Sequence, residues 1–278
     1  MNGLINTFFR RRISNALFAT LVALSLLFLL QSQRQHLKYD SFTSGYLLIA
    51  AVLFLAAYNL RKKLSFLPMG KSSTWLQVHI YVAYVAIVIF LAHVGFRFPN
   101  GQLESLLAIL FSGTAVSGIY GLYITRVYPK RLSNLSEEFV FERIPAFQYQ
   151  VRKQASSLAV ASMEQVQQTT LAEFYSNRLS DFFEQQRGVV YRLFPGSRRR
   201  KKLMAELSSL QRYLSTEERQ ISNQFFRLIR KKDDLDYHWA LQGKLKLWLF
   251  AHIGLTYSLV LVAIYHAVMA HAFHGGLR

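Results

Sequence analysis

Five stretches of this chain run almost without charge: residues 13–30, 44–60, 75–96, 103–124 and 245–270. Glu104 and Lys246 are the only charged side chains inside them. A helix needs about 17–25 apolar residues to cross a bilayer, so each stretch is long enough to span. Backbone polar groups in lipid must be satisfied within the segment, which leaves helices as the natural form for runs of this length. The expected fold class is therefore all-α, an integral membrane bundle of five transmembrane helices. Helices two to five form its four-helix core, and the N-terminal helix is added outside.

Basic residues suggest how the chain threads. Arg10, Arg11 and Arg12 precede the first stretch, and Arg61, Lys62, Lys63 and Lys71 follow the second. Residues 126–246 hold 22 of the 33 Lys and Arg. If the five helices alternate, all of these fall on one side, and Lys/Arg excess marks the cytoplasmic face. The chain is expected in a bacterial-type inner membrane, with its N-terminus cytoplasmic and its C-terminus periplasmic. The first stretch is read as a retained anchor, since its apolar core exceeds the 7–15 residues of a signal peptide. The formal charge of +18 thus reads as membrane topology rather than nucleic-acid binding, because nothing couples it to base-reading aromatics.

The expected organisation has three parts. Residues 1–125 carry transmembrane helices 1–4, 126–244 form a basic and mostly helical cytoplasmic insertion, and 245–278 carry helix 5 and a periplasmic C-terminus. A Pro99-Asn100-Gly101 turn joins helices three and four as an antiparallel hairpin. In the insertion, residues 138–151 read as a short strand or hairpin broken at Pro145. A long helix is expected over 156–186, with Leu171, Phe174, Leu179, Phe182 and Phe183 as its apolar stripe. Another is expected over 203–214. Ser215 and Glu218 fit a capping box that opens a further helix to about Arg230, ahead of the last span.

Histidines supply the chemistry. His79 and His93 lie fourteen residues apart in one stretch, and His252 and His266 fourteen apart in another. Fourteen residues advance a helix by ~21 Å and return it to within ~40° of the same face. Helices three and five run in the same direction, so His79 pairs in depth with His252, and His93 with His266. Ionisable groups inside a membrane are costly and mark function by default. Two facing imidazoles suit an iron porphyrin gripped from both sides, and two axial ligands favour electron transfer over oxygen chemistry. With no cysteine in the chain, covalent haem attachment and Cys-ligated clusters are excluded, so any haem is non-covalent and b-type. Gly113, Gly118, Gly121, Gly95 and Gly254 leave room for a macrocycle or for close helix packing. Thr256, one turn from His252, is a candidate partner for its second ring nitrogen.

The paired His-x13-His helices resemble the di-haem cytochrome b superfamily, which includes bc-type cytochrome b and ferric-reductase-like transmembrane proteins. The resemblance spans helices two to five. It implies two haems b conducting electrons across a bilayer, with quinone at one end. Residues His79, His252, His93 and His266 would be the axial ligands, and other subunits of a redox complex the partners. The Pro-Glu-Trp-Tyr motif of bc-type proteins is absent, as is a flavin or nucleotide motif.

Other residues have blander expectations. His271 and His274 form an outer polar cap or a proton relay, while His36 and His238 are solvated or interfacial. Glu104 complements a helix dipole or takes a quinol proton, and Arg97 anchors at the interface or meets a haem propionate. Trp75, Trp239 and Trp248 form an inner aromatic belt. The basic run 198–202 lies against anionic lipid headgroups. Two rival readings stand beside the cytochrome: a proton or metal-ion transporter lined by histidines, and a non-redox membrane scaffold.

Overall fold

The computed structural model of the chain describes residues 2–36, 40–63, 70–135, 137–166 and 170–274. Among these every regular element is helical and none is a strand. The chain divides into two compact units, residues 1–120 with 250–278, and residues 121–249.

The first unit holds α1 (Asn2–His36), α2 (Asp40–Lys63), α3 (Ser72–His93), the front of α4 (Gln102–Leu132) and the end of α10 (Thr216–His274). Segments long and apolar enough to cross a membrane lie in α1 (Ile13–Ser32), α3, α4 and α10. In α2 the apolar stretch is shorter, Phe42–Tyr58. Val52, Ala86, Phe111 and Leu259 form a buried cluster with one residue from each of α2, α3, α4 and α10. Phe90 of α3 stacks on Phe111 of α4 with centroids 4.2 Å apart. Helix α1 packs on α3 and α2. The outward faces are inverted relative to a water-soluble domain: Phe18 is 69% exposed, Val116 66% and Phe250 75%. An apolar surface this continuous suits lipid.

Helix α3 stops at His93 rather than running on to Phe96. Gly95 takes φ +66°, and the Phe96 amide donates back to Leu91 O at 3.0 Å, closing the helix in a left-handed turn. Ser105 in the first turns of α4 then donates to Pro99 O at 2.8 Å, tying the hairpin loop to the next helix. The result leaves His93 in the final turn of its helix.

The second unit contains α5 (Ile144–Val166), α6 (Thr170–Phe174), α7 (Ser180–Glu184), α8 (Val189–Leu193) and α9 (Arg198–Leu210), packed with the front of α10. Several sequence expectations change here. Residues 138–151 form no strand: Phe141–Arg143 is a turn of 3-10 helix, and α5 begins directly at Ile144. Pro145 sits in the first turn of α5, where its missing N–H has no helical partner to lose, so it starts the helix instead of breaking a hairpin. Where a long helix is expected over 156–186, the described residues form α5 up to Val166 and, from Thr170, α6, a π-helical segment Tyr175–Leu179 and α7 to Glu184. That extra residue per turn brings Leu179, Phe182 and Phe183 all into the core.

The capping box forms as expected: Ser215 N donates to Glu218 Oε2 at 3.0 Å, and Glu218 N to Ser215 Oγ at 3.3 Å. The helix it opens does not end near Arg230. It continues for 59 residues to His274, through Lys232, Asp233, Asp234 and Asp236. These four are buried, and Arg187 bridges Asp233 at 3.0 Å and Asp236 at 2.9 Å. A polar run that reads as a break is held helical because its charges are paired inside the unit.

Candidate functional site

His93 and His266 line one cavity of about 440 Å³ among α2, α3, α4 and α10. Its walls are mostly apolar, with Val52, Phe90, Phe111 and Leu259 among them. That volume falls in the range of about 300–1,000 Å³ common for small-molecule and cofactor sites. Polar side chains line it as well: Arg97, Glu104, Tyr46 and His271. The Tyr46 hydroxyl is hydrogen bonded to His271 Nε2, and Phe42 meets the same imidazole edge-on. His271 is thus part of the cavity wall as well as an exposed cap. Glu104 sits in the first turn of α4, where a carboxylate complements the helix dipole.

The other expected pair lies outside this cavity. His79 and His252 are within Coulombic reach of each other, and both are half-buried. The Tyr58 ring packs on His79 with centroids 5.1 Å apart. His79 Nδ1 is buried without a hydrogen-bond partner among the described residues. An orphaned polar atom of that kind is uncommon in a finished interior and points to a group still to be met.

The second ring nitrogens have partners that the sequence reading missed. Ser44 Oγ of α2 lies 2.9 Å from His93 Nδ1, and Ser117 Oγ of α4 lies 3.2 Å from His252 Nδ1. In each case the next residue is a glycine that faces the same imidazole. A Cβ on Gly45 would come 3.4 Å from His93 Cε1, and one on Gly118 would come 3.6 Å from His252 Cε1. The same Ser-Gly pair thus serves one histidine from α2 and another from α4. A serine fixing Nδ1 directs Nε2 away from its helix, the usual orientation of a metal-bound imidazole. The hint was present in sequence, as a hydroxyl inside an apolar run. It was ambiguous, because Ser112-Gly113 has the same form and Gly113 faces open space.

Other expectations are corrected. Thr256 does not hold the His252 ring: its hydroxyl donates to the His252 backbone carbonyl at 2.7 Å, satisfying a group in its own helix. His238 is not solvated. It is 1% exposed, meets Phe139 edge-on, and its Nδ1 lies 3.2 Å from the Gln242 amide nitrogen, which also donates to Phe139 O. Trp239 stacks on Phe141 at 4.3 Å in the second unit's core, so it is a packing residue rather than part of an interfacial belt. Trp248 lies against Gly121, where no larger residue fits without displacing the indole. The side chains of His36 and His274 lie outside the described residues.

Among the described residues no group of three or more His, Asp or Glu comes together as a metal site. A porphyrin iron needs only two side-chain ligands, so pairs of imidazoles are the relevant unit. The residues fit such a group: His93 and His266 share one mostly apolar cavity, His79 and His252 lie near each other, and two of the four are held by serines. No protein-family model, curated protein or solved structure matches the chain.

Proposed function

We propose that this chain is a di-haem b-type cytochrome, the membrane subunit of a larger redox assembly. In this reading His93 and His266 ligate one haem, and His79 and His252 ligate the other. The observation that carries it is the convergence of His93 and His266 on one apolar-walled cavity, with Ser44 fixing His93 Nδ1. The second histidine pair, one helical repeat of ~21 Å away along the same helices, supports a second site. Bound haem supplies a one-electron iron couple, and two of them at different depths make a path across the bilayer.

The chain's own residues do the rest. The imidazoles ligate and orient, the serines hold two of them, and Val52, Phe90, Phe111 and Leu259 exclude water from the outer site. Arg97, which lines the cavity, would meet an acidic haem edge. Tyr46, His271 and Glu104 are hydroxyl, imidazole and carboxylate in the same lining, a set able to exchange protons with a quinol. Electrons would pass between the quinone pool and partner proteins, with the basic 121–249 unit on the cytoplasmic side.

The test is haem stoichiometry in the purified full-length chain, read with reduced-minus-oxidised spectra. Wild type is expected to carry two haems b. A His93→Ala/His266→Ala variant should keep one and His79→Ala/His252→Ala the other, with distinct spectra. A colourless wild type, or two haems retained in either double variant, would sink the reading.

A further inference from the structure

Helix α8 is only five residues long, yet it shows water more apolar surface than any comparable piece of the second unit. Val189 is 70% exposed, Val190 77%, Leu193 54% and Phe194 81%. Tyr191, between them, turns the other way, with the Arg187 guanidinium 4.8 Å over its ring. The short helix therefore has an inner side pinned to the unit and an outer side with nothing packed on it.

Four residues beyond Phe194 begins the basic run that opens α9. The structure divides this run into two faces. Arg200 turns inward to Asp233 and Asp234, at 3.4 and 3.3 Å, and Arg199 lies 5.6 Å over the Phe182 ring. Arg198, Lys201 and Lys202 are exposed and form no ion pair among the described residues. Their spacing of three and four places them on one side of the helix. From Gln185 to Ala205 there are seven Lys and Arg and no acidic residue.

A third contact sets the depth of this region. Lys244 Nζ donates to the Leu193 carbonyl, fastening the end of α8 to α10. Lys244 and Lys246 are the last Lys or Arg before the stretch Leu247–Ala270, which holds no Asp, Glu, Lys or Arg. Lysines at that position place their ammonium groups among lipid headgroups. If α10 enters a bilayer at about Leu247, the Lys244 contact holds Leu193 close to that level, with its exposed apolar neighbours beside it.

We propose that the Val189–Phe194 turn and the outward basic face of α9 form an interfacial anchor that seats the 121–249 unit on an anionic bilayer surface. Apolar side chains dip below the headgroups while the lysines and arginines meet lipid phosphates, the pairing that surface-bound amphipathic segments use. A second copy of the chain is a poor occupant, since it would bring the exposed basic face of Arg198, Lys201 and Lys202 against itself. The proposal rests on α10 crossing a membrane and is independent of haem.

The absence of cysteine makes the test direct. Phe194→Cys and Val190→Cys variants of the full-length chain would carry a polarity-sensitive fluorophore. Tyr213→Cys, at a position 84% exposed in the same unit, serves as the control. Each is reconstituted in phosphatidylcholine vesicles with and without phosphatidylglycerol. With the anionic lipid, labels at 190 and 194 should be quenched by spin-labelled lipid and severalfold less by aqueous iodide than the label at 213. Omitting phosphatidylglycerol, or introducing Arg198→Gln/Lys201→Gln/Lys202→Gln, should restore iodide access. Labels at 190 and 194 as open to iodide as the control would overturn the proposal. So would shielding without lipid quenching, which would mean protein covers the patch, or insertion indifferent to anionic lipid.

Discussion

Ser44 and Ser117 each put a hydroxyl against the Nδ1 of a histidine within an apolar helical stretch, at 2.9 and 3.2 Å. Hydrogen bonds to the second nitrogen fix ring orientation and raise ligand basicity, and losing one typically costs about 10–100-fold in metal affinity. On the proposed di-haem reading, Ser44→Ala is therefore expected to weaken retention of a haem at His93 and His266 by about that factor, leaving the other haem unchanged. Ser117→Ala should do the reverse. Midpoint potentials of the two haems, titrated in each variant, distinguish this from general loosening, which would move both. The four histidines were legible from sequence because imidazole in an apolar run is conspicuous and fourteen residues nearly closes the helical repeat. The serines were not, because a hydroxyl in a helix most often bonds its own backbone. Thr256, Thr114 and Thr125 do so here, at 2.7, 2.7 and 2.6 Å.

At the scale of elements, α10 is the piece that sequence patterning divides and the structure unites. Its polar middle reads as a break, yet Lys232, Asp233, Asp234 and Asp236 are buried. Arg187 holds two of these carboxylates, Lys232 contacts Asp236 at 2.5 Å, and Gln148 donates to the same carboxylate at 2.8 Å. Removing one member of such a network strands buried charge and costs about 3–5 kcal/mol. Arg187→Ala should lower the stability of the 121–249 unit by that order, followed by denaturant unfolding of the full chain. A loss below about 1 kcal/mol, the value of an exposed pair, would mean water reaches these carboxylates. The pairing was invisible in sequence because Arg187 and Asp236 are brought together only by the fold. The capping box at Ser215 and Glu218 was visible because its partners are three residues apart.

For the molecule as a whole, pH acts through groups outside the membrane. Burial, opposed by the Glu137 backbone and the Asp234 and Glu138 carboxylates, holds the His238 imidazole below its ordinary value of 6.5. The folded ring stays neutral where the unfolded one takes a proton, so this stability is present above about pH 6.5 and is lost as pH falls toward the depressed value. Asp233 and Asp234 are shifted the other way, raised above 3.8 chiefly by burial against the pull of Arg200. Their folded forms bind protons more readily, which offsets part of the loss at lower pH. Unfolding of the second unit, followed by tryptophan fluorescence from about pH 8 to about pH 5, should show stability falling as pH drops below about 6.5. His238→Gln should flatten that slope. An unchanged slope in the variant would place the titrating group elsewhere.

Sequence alone determined the all-helical class, the apolar segments, the charge asymmetry and the four candidate ligands. Each of these depends on composition or on spacing along one helix, which the 3.6-residue period fixes without reference to neighbours. Tertiary structure decided which serine meets which histidine, which glycines face an imidazole, and that one cavity joins His93 to His266. It also decided that Arg200 turns inward to Asp233 and Asp234 while Arg198, Lys201 and Lys202 remain outside. These are contacts between segments far apart in the chain. Their partners are chosen by packing, and no local pattern encodes which of several similar residues will be the one that arrives.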